Sequence, residues 1–151
     1  MKKNRSSKNW IIKQHRDQFY KRSKTLGYRS RSAFKLLELN SKFKFISKNT
    51  SLLDVGSSPG GWSQVASSII KEGKIVATDK KPMRDVKNVI FFEEDFSKEE
   101  TQLRIMKIFK KKIDVVISDM AADTTGNKNL DCIRTNLLCS EVINFSKKIL
   151  K

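Results

Sequence analysis

Leu52-Leu53-Asp54-Val55-Gly56-Ser57-Ser58-Pro59-Gly60-Gly61-Trp62-Ser63-Gln64 is the stretch on which the fold turns. Four residues of strand length run into a turn of Gly, Ser and Pro, and a helical pattern follows to about Lys71. Glycines between a strand and a helix allow positive φ and let a ligand approach the backbone, close to the free N–H groups of the helix start. The spacing is G-x-x-x-G-G. It is neither the dinucleotide G-x-G-x-x-G nor a Walker loop, which would continue Gly-Lys-Ser/Thr.

The same alternation continues outward. Ile75-Val76-Ala77-Thr78 reads as a second strand ending at Asp79, and Val89-Ile90-Phe91-Phe92 as a third ending near Asp95. Ile113-Asp114-Val115-Val116-Ile117 is a fourth, ending at Ser118-Asp119. Helices are expected from Ser30 or Ser32, either of which can cap, to about Asn40; over 98–110, with Leu103, Met106 and Phe109 apolar; and over 131–149. In the last of these Ile133, Leu137, Leu138, Val142 and Phe145 stand at core spacing. Short β-branched runs alternating with helices specify an α/β fold with a parallel, doubly wound sheet, whose ligand lies beyond the carboxyl ends of the strands. Asp79, Asp95 and Asp119 stand at or soon after three such ends, and Asp54 lies inside the first strand beside the turn. A glycine turn followed by acids at successive strand ends suits a nucleoside held without a pyrophosphate. Asp79 would accept from a ribose diol and Asp95 from an adenine amino group, while a methionine portion would lie along the turn.

The chain has 151 residues, enough for one domain, and 38% of them are hydrophobic, enough to build a core. It contains no run of 18 apolar residues, and Met1-Lys2-Lys3-Asn4-Arg5 leads into no apolar signal region. Cys132 and Cys139 cannot staple a scaffold or build a metal site by themselves, and their seven-residue spacing suggests two small buried residues on one helical face. The expectation is a soluble protein of a reducing compartment, cytoplasmic, with no metal and no membrane partner. The net charge is +16, and it is localised: residues 1–48 hold 15 basic side chains against Asp17 and Glu38. A polyanion partner follows, nucleic acid ahead of an anionic membrane surface. Residues 1–29 read as a basic RNA-binding arm and 30–151 as a single α/β domain, a partial one by the resemblance described below. Trp10, Phe19 and Tyr20 within the arm suit either stacking on RNA bases or packing onto the domain, and His15 suits a phosphate-side surface role. Trp62 suits a cofactor wall or the core.

Four segments in order carry a resemblance: Ser30-Arg31-Ser32-Ala33-Phe34-Lys35-Leu36, the glycine stretch from Asp54 to Gln64, Asp79-Lys80-Lys81-Pro82-Met83 with Asp95-Phe96, and Ser118-Asp119-Met120-Ala121. In these the chain resembles the FtsJ (RrmJ) family of S-adenosylmethionine-dependent ribosomal RNA 2′-O-methyltransferases, over nearly its whole length. The resemblance implies a Rossmann-like methyltransferase fold and action on a ribose, a uridine by this reading, in 23S rRNA of the large ribosomal subunit. It implies cofactor contacts from Gly60, Trp62, Asp79, Asp95 and Asp119, and catalytic roles for Lys35 and Asp119 as the first two members of the family's Lys-Asp-Lys-Glu set. A 2′-hydroxyl is a poor nucleophile at neutral pH, so a cationic neighbour that places or polarises it has a chemical purpose.

The pattern also departs from the family. The strands that carry the family's second lysine and glutamate have no counterpart before Lys151, and Ala122 stands where the family has proline. On that basis the sheet is expected to lack its last strands, the strand at 113–117 to present an open edge, and the last helix to lose apolar partners. A remnant that binds RNA and S-adenosylmethionine without catalysis is the alternative expectation. A nicotinamide-dependent oxidoreductase is disfavoured by the glycine spacing.

Overall fold

The computed structural model describes residues 18–151, so most of the basic arm, with Trp10 and His15, lies outside the described residues. In chain order these form α1 (Gln18–Thr25), α2 (Ser32–Phe43), β1 (Leu52–Val55), α3 (Gly61–Ile69), β2 (Ile75–Asp79), β3 (Val89–Glu93), α4 (Glu99–Phe109), β4 (Val115–Ser118) and α5 (Lys128–Ile149). The strands make one parallel sheet in the order β3-β2-β1-β4. Parallel neighbours require crossovers, and these place helices on both faces, as the alternation of strand and helix predicts. Chain direction across the sheet reverses between β1 and β4. That is the position at which a doubly wound sheet opens a crevice at its carboxyl rim.

The period-two alternation of side chains divides the core. Leu53, Val55 and Val76 face Ile105 and Phe109 of α4 and Val142, Phe145 and Ile149 of α5. Leu52, Ile75 and Ile117 face Ala33 and Leu36 of α2 and Val65 and Ala66 of α3. All four residues of β1 are buried, the mark of a central strand covered on both sides.

Several expectations need correction. In α4 the inward stripe is Thr101, Ile105 and Phe109, four residues apart, whereas Leu103 and Met106 face solvent. In α5 only the C-terminal half is core. Ile133 and Leu137 are 58% and 65% exposed, and Cys132 and Cys139 are exposed as well. The reason is length. A 22-residue helix spans about 33 Å, whereas the four-residue β4 beside it spans about 13 Å, so the first turns of α5 project past the strand. Neither Ser30 nor Ser32 caps α2. Arg31 stands at the cap position already in helical conformation, and the two serine hydroxyls hydrogen-bond each other at 2.7 Å. Just ahead of β4 the Ile113 amide donates to Ile149 O and the Lys151 amide to Ile113 O, while β4 itself has no strand on its outer side among the described residues. Phe19 packs against Phe34 of α2 with ring centroids 5.9 Å apart, the packing alternative for that residue. No helix among the described residues is long and apolar enough to cross a membrane.

Candidate active site

Gly56 follows β1 at φ 78°, and Gly60 precedes α3 at φ 106°. A Cβ built on Gly56 would lie 1.9 Å from Cγ of Met120, so the loop after β4 packs directly on the turn only because glycine stands there. The turn is also bonded to β2, since the amides of Gly56 and Ser57 both donate to Thr78 O, at 2.9 and 3.2 Å.

Asp79, at the end of β2, accepts the Ser58 amide on Oδ2 at 2.9 Å and the Lys81 amide on Oδ1 at 2.8 Å. Two backbone bonds fix the plane of this carboxylate and leave each oxygen a lone pair. Asp95, beyond β3, accepts both the amide and hydroxyl of Ser97 on Oδ1, at 3.0 and 2.7 Å, and pairs through Oδ2 with Lys80 at 2.9 Å. Partial burial works against its charge, but the Ser97 and Lys80 bonds outweigh that and hold the carboxyl below its usual range. After β4, Asp119 accepts a 2.6 Å hydrogen bond from Lys35 Nζ of α2, and that ammonium also stands 5.5 Å from the centre of the Trp62 ring.

A cavity of about 450 Å³ brings Gly56, Asp79, Asp95 and Asp119 to one space, with Met120 on its wall and α5 reaching it through Leu138 and Glu141. A second cavity of about 40 Å³ lies alongside and shares Asp119; Trp62, Asp54 and Ser57 line it. Gly60 and Lys35 line neither. The predicted residues therefore divide: three acids meet in the larger cavity, Trp62 borders the smaller, Gly60 shapes the turn, and Lys35 arrives from outside on Asp119. Trp62 is 7% exposed, packs in the core beneath the turn and donates through Nε1 to Ser32 O at 2.8 Å.

Asp54 is completely buried, accepts the Ser63 hydroxyl at 2.6 Å and is pushed up to about 7 by burial, with Asp79 and Asp119 adding to the effect. The Ser57 hydroxyl is buried and has no hydrogen-bond partner among the described residues. The sequence reading missed the cavity walls supplied by Met120 and α5. The signal for Met120 was Gly56 itself, whose missing side chain implies a close neighbour. No group of three or more His, Cys, Asp and Glu among the described residues is arranged to hold a metal ion.

Comparison with known proteins bears on this geometry. A family model described as FtsJ-like methyltransferase matches residues 28–151. The chain is 49% identical over 150 residues to a ribosomal RNA large subunit methyltransferase E of Pelagibacter ubique, covering 99% of this chain and 74% of that protein. It is 42% identical over 152 residues to the protein of the same name from Rickettsia canadensis, covering 97% of this chain and 67% of the relative. A crystal structure from Plasmodium falciparum described as a ribosomal RNA methyltransferase superposes with a TM-score of 0.73 at 34% identity, covering 82% of this chain and 73% of that one. A match over residues 28–151, on a sheet of this order, places the chain in the FtsJ-like methyltransferase family of enzymes.

Proposed function

We propose that this chain methylates the 2′-hydroxyl of a uridine ribose in 23S rRNA of the large ribosomal subunit, using S-adenosylmethionine. The observation that carries the reading is the Lys35–Asp119 pair, 2.6 Å across, at the rim of a cavity walled by two further strand-end acids. The names of the relatives support large-subunit rRNA as the substrate.

The residues fit such a cofactor. The cavity volume suits a nucleoside. Each oxygen of Asp79 has one lone pair left for a ribose hydroxyl, and Oδ2 of Asp95 can accept from an adenine amino group beside Lys80. The Ser57 hydroxyl, unpartnered among the described residues, offers a polar contact to an amino-acid tail beside Trp62. The bound cofactor supplies an electrophilic methyl on a sulfonium. The chain's own residues have the remaining work of alignment, which holds the attacking oxygen in line with that carbon. Lys35 donates a hydrogen bond to the 2′-oxygen and favours the charge that develops as the hydroxyl proton passes to water, and Asp119 fixes the ammonium in place. The basic segment of residues 1–29 grips phosphates and sets the register of the RNA.

The test is methyl transfer from labelled S-adenosylmethionine to large ribosomal subunits that lack the 2′-O-methyl mark. Transfer is expected with the wild-type chain, and a loss of about a hundredfold or more in Lys35→Ala and Asp119→Ala with the fold intact by circular dichroism. Undiminished transfer in Asp119→Ala, or none from folded wild-type protein, would overturn the reading.

A further inference from the structure

Arg29 lies in the basic N-terminal stretch, where an arginine is ordinarily read as a phosphate contact, yet its guanidinium is engaged within the protein. Nη1 donates to Arg84 O and, at 3.5 Å, to Pro59 O; Nη2 donates to Asp85 O at 2.6 Å. All three acceptors are backbone carbonyls. One belongs to the glycine turn after β1 and two belong to the loop between β2 and β3. The backbone of Arg29 is anchored too. Its amide donates to Gln64 Oε1 of α3 at 2.8 Å, and Gln64 Nε2 donates back to Gly27 O at 3.2 Å. The side chain thus starts from a point fixed on α3, crosses the turn and ends on residues 84–85. Gly60 lets it pass: a Cβ there would lie 2.8 Å from Arg29 Nη1 and 2.9 Å from Met83 Sδ.

We propose that Arg29 is a positioning residue for the cofactor cleft, a guanidinium fork that holds the glycine turn and the β2–β3 loop at one spacing. The consequence centres on Asp79. Its two oxygens are oriented by amides from the two segments that Arg29 joins, Ser58 in the turn and Lys81 in the loop. Separation of these segments turns the carboxylate away from the geometry a ribose diol needs. Ser58 also ties them, through its hydroxyl to Pro82 O at 3.0 Å, but that bond is made within the cleft wall. Arg29 is the tie from outside, and the chain passes from it directly into α2 and Lys35. A lysine at this position keeps the charge and one nitrogen that can reach Pro59 O and Arg84 O as Nη1 does, but it loses the second arm on Asp85 O and with it the fixed plane of the group. The proposal rests on the reading of the larger cavity as the S-adenosylmethionine site.

The test uses the full chain and Arg29→Lys, with Arg29→Ala beside it. S-Adenosylhomocysteine affinity is measured by titration calorimetry well below the unfolding midpoint, and exchange of the Ser58 and Lys81 amides is followed without ligand. Arg29→Lys is expected to weaken binding about tenfold, to shift the unfolding midpoint little, and to accelerate exchange at those two amides. A lower midpoint with unchanged affinity in the folded protein would make Arg29 merely structural and overturn the proposal, as would unchanged affinity and exchange. Failure of wild-type protein to bind S-adenosylhomocysteine would sink the cofactor reading instead. The positioning role would then be decided by exchange alone: acceleration at both amides in Arg29→Lys supports it, and no acceleration overturns it.

Discussion

On one side of the larger cavity stand the turn after β1 and the end of β2, hung from strands buried except at Asp79 and joined by amides that donate to Thr78 O and to the Asp79 carboxylate. On the other side, beyond Met120 packed on Gly56, stand residues 121–141, a loop and the projecting half of α5. Their ties are polar and largely exposed: Lys81 to Asp123 at 3.0 Å, Arg134 to Asp123 O at 3.3 Å, and the Ala122 amide to Thr135 at 3.2 Å. The first wall cannot move without opening the core, while the second can yield by exchanging surface bonds with water. Preorganised charge belongs on the rigid side, where Asp79 is. On the proposed function, the yielding side is where a large substrate is admitted beside the Asp119–Lys35 pair.

The contrast is tested hardest along α5, which contributes to both regimes. Phe145 is 2% exposed and meets Phe96 edge-on at 5.2 Å, whereas Leu137 on the same helix is 65% exposed. Phe145→Ala is expected to cost about 3–5 kcal/mol in urea unfolding, and Leu137→Ala to stay within about 0.5 kcal/mol. A cost above about 1 kcal/mol for Leu137→Ala would show that the projecting half is packed after all.

Asp54 sharpens the picture of the rigid wall. Its carboxyl is raised from an ordinary value near 3.8 to about 7, so the folded state holds a proton there that the unfolded chain has released. The unfolded state binds fewer protons between those values, and this group's contribution makes stability fall as pH rises from about 4 to about 7, by at most about 1.4 kcal/mol per pH unit. Above pH 7 the contribution levels off. Asp54→Asn keeps an acceptor for Ser63 and is expected to flatten that segment of the stability profile. An unchanged slope in the variant would mean that water reaches the carboxyl and that the wall is less dry than its packing implies.

The smallest effect is expected on the yielding side. Lys81→Ala removes an exposed ion pair with Asp123, which holds that carboxyl below its usual range, and is expected to leave the unfolding midpoint where it was. A clear drop in the thermal unfolding midpoint would give the loop after β4 a rigidity at odds with its exposed bonds.

What could be read from the residues followed the same division. The four strands, the glycine turn and the acids at strand ends were legible because each is a local pattern with one physical reading. The inward face of α4 was not. Leu103 and Met106 are as apolar as Ile105, and only the tertiary position of the sheet selects the Thr101-Ile105-Phe109 stripe. Nor could the sequence show that α5 would outrun β4, since overhang is a relation between two elements and not a property of either. The exposure of Cys132 and Cys139 follows from the same overhang. The bonds that Arg29 makes were hidden for a different reason. In a segment dense with Lys and Arg, an arginine bonded inward is written with the same letter as one that meets a phosphate.

Lys35 and Asp119 are separated by 84 positions, and only the pairing of β4 with β1 brings them together. At typical synthesis rates the lysine leaves the ribosome roughly 4–17 s before its aspartate. For that interval a nascent chain carries its basic N-terminal charge with no assembled ion pair, so on the proposed function it can adhere to RNA before it can methylate any.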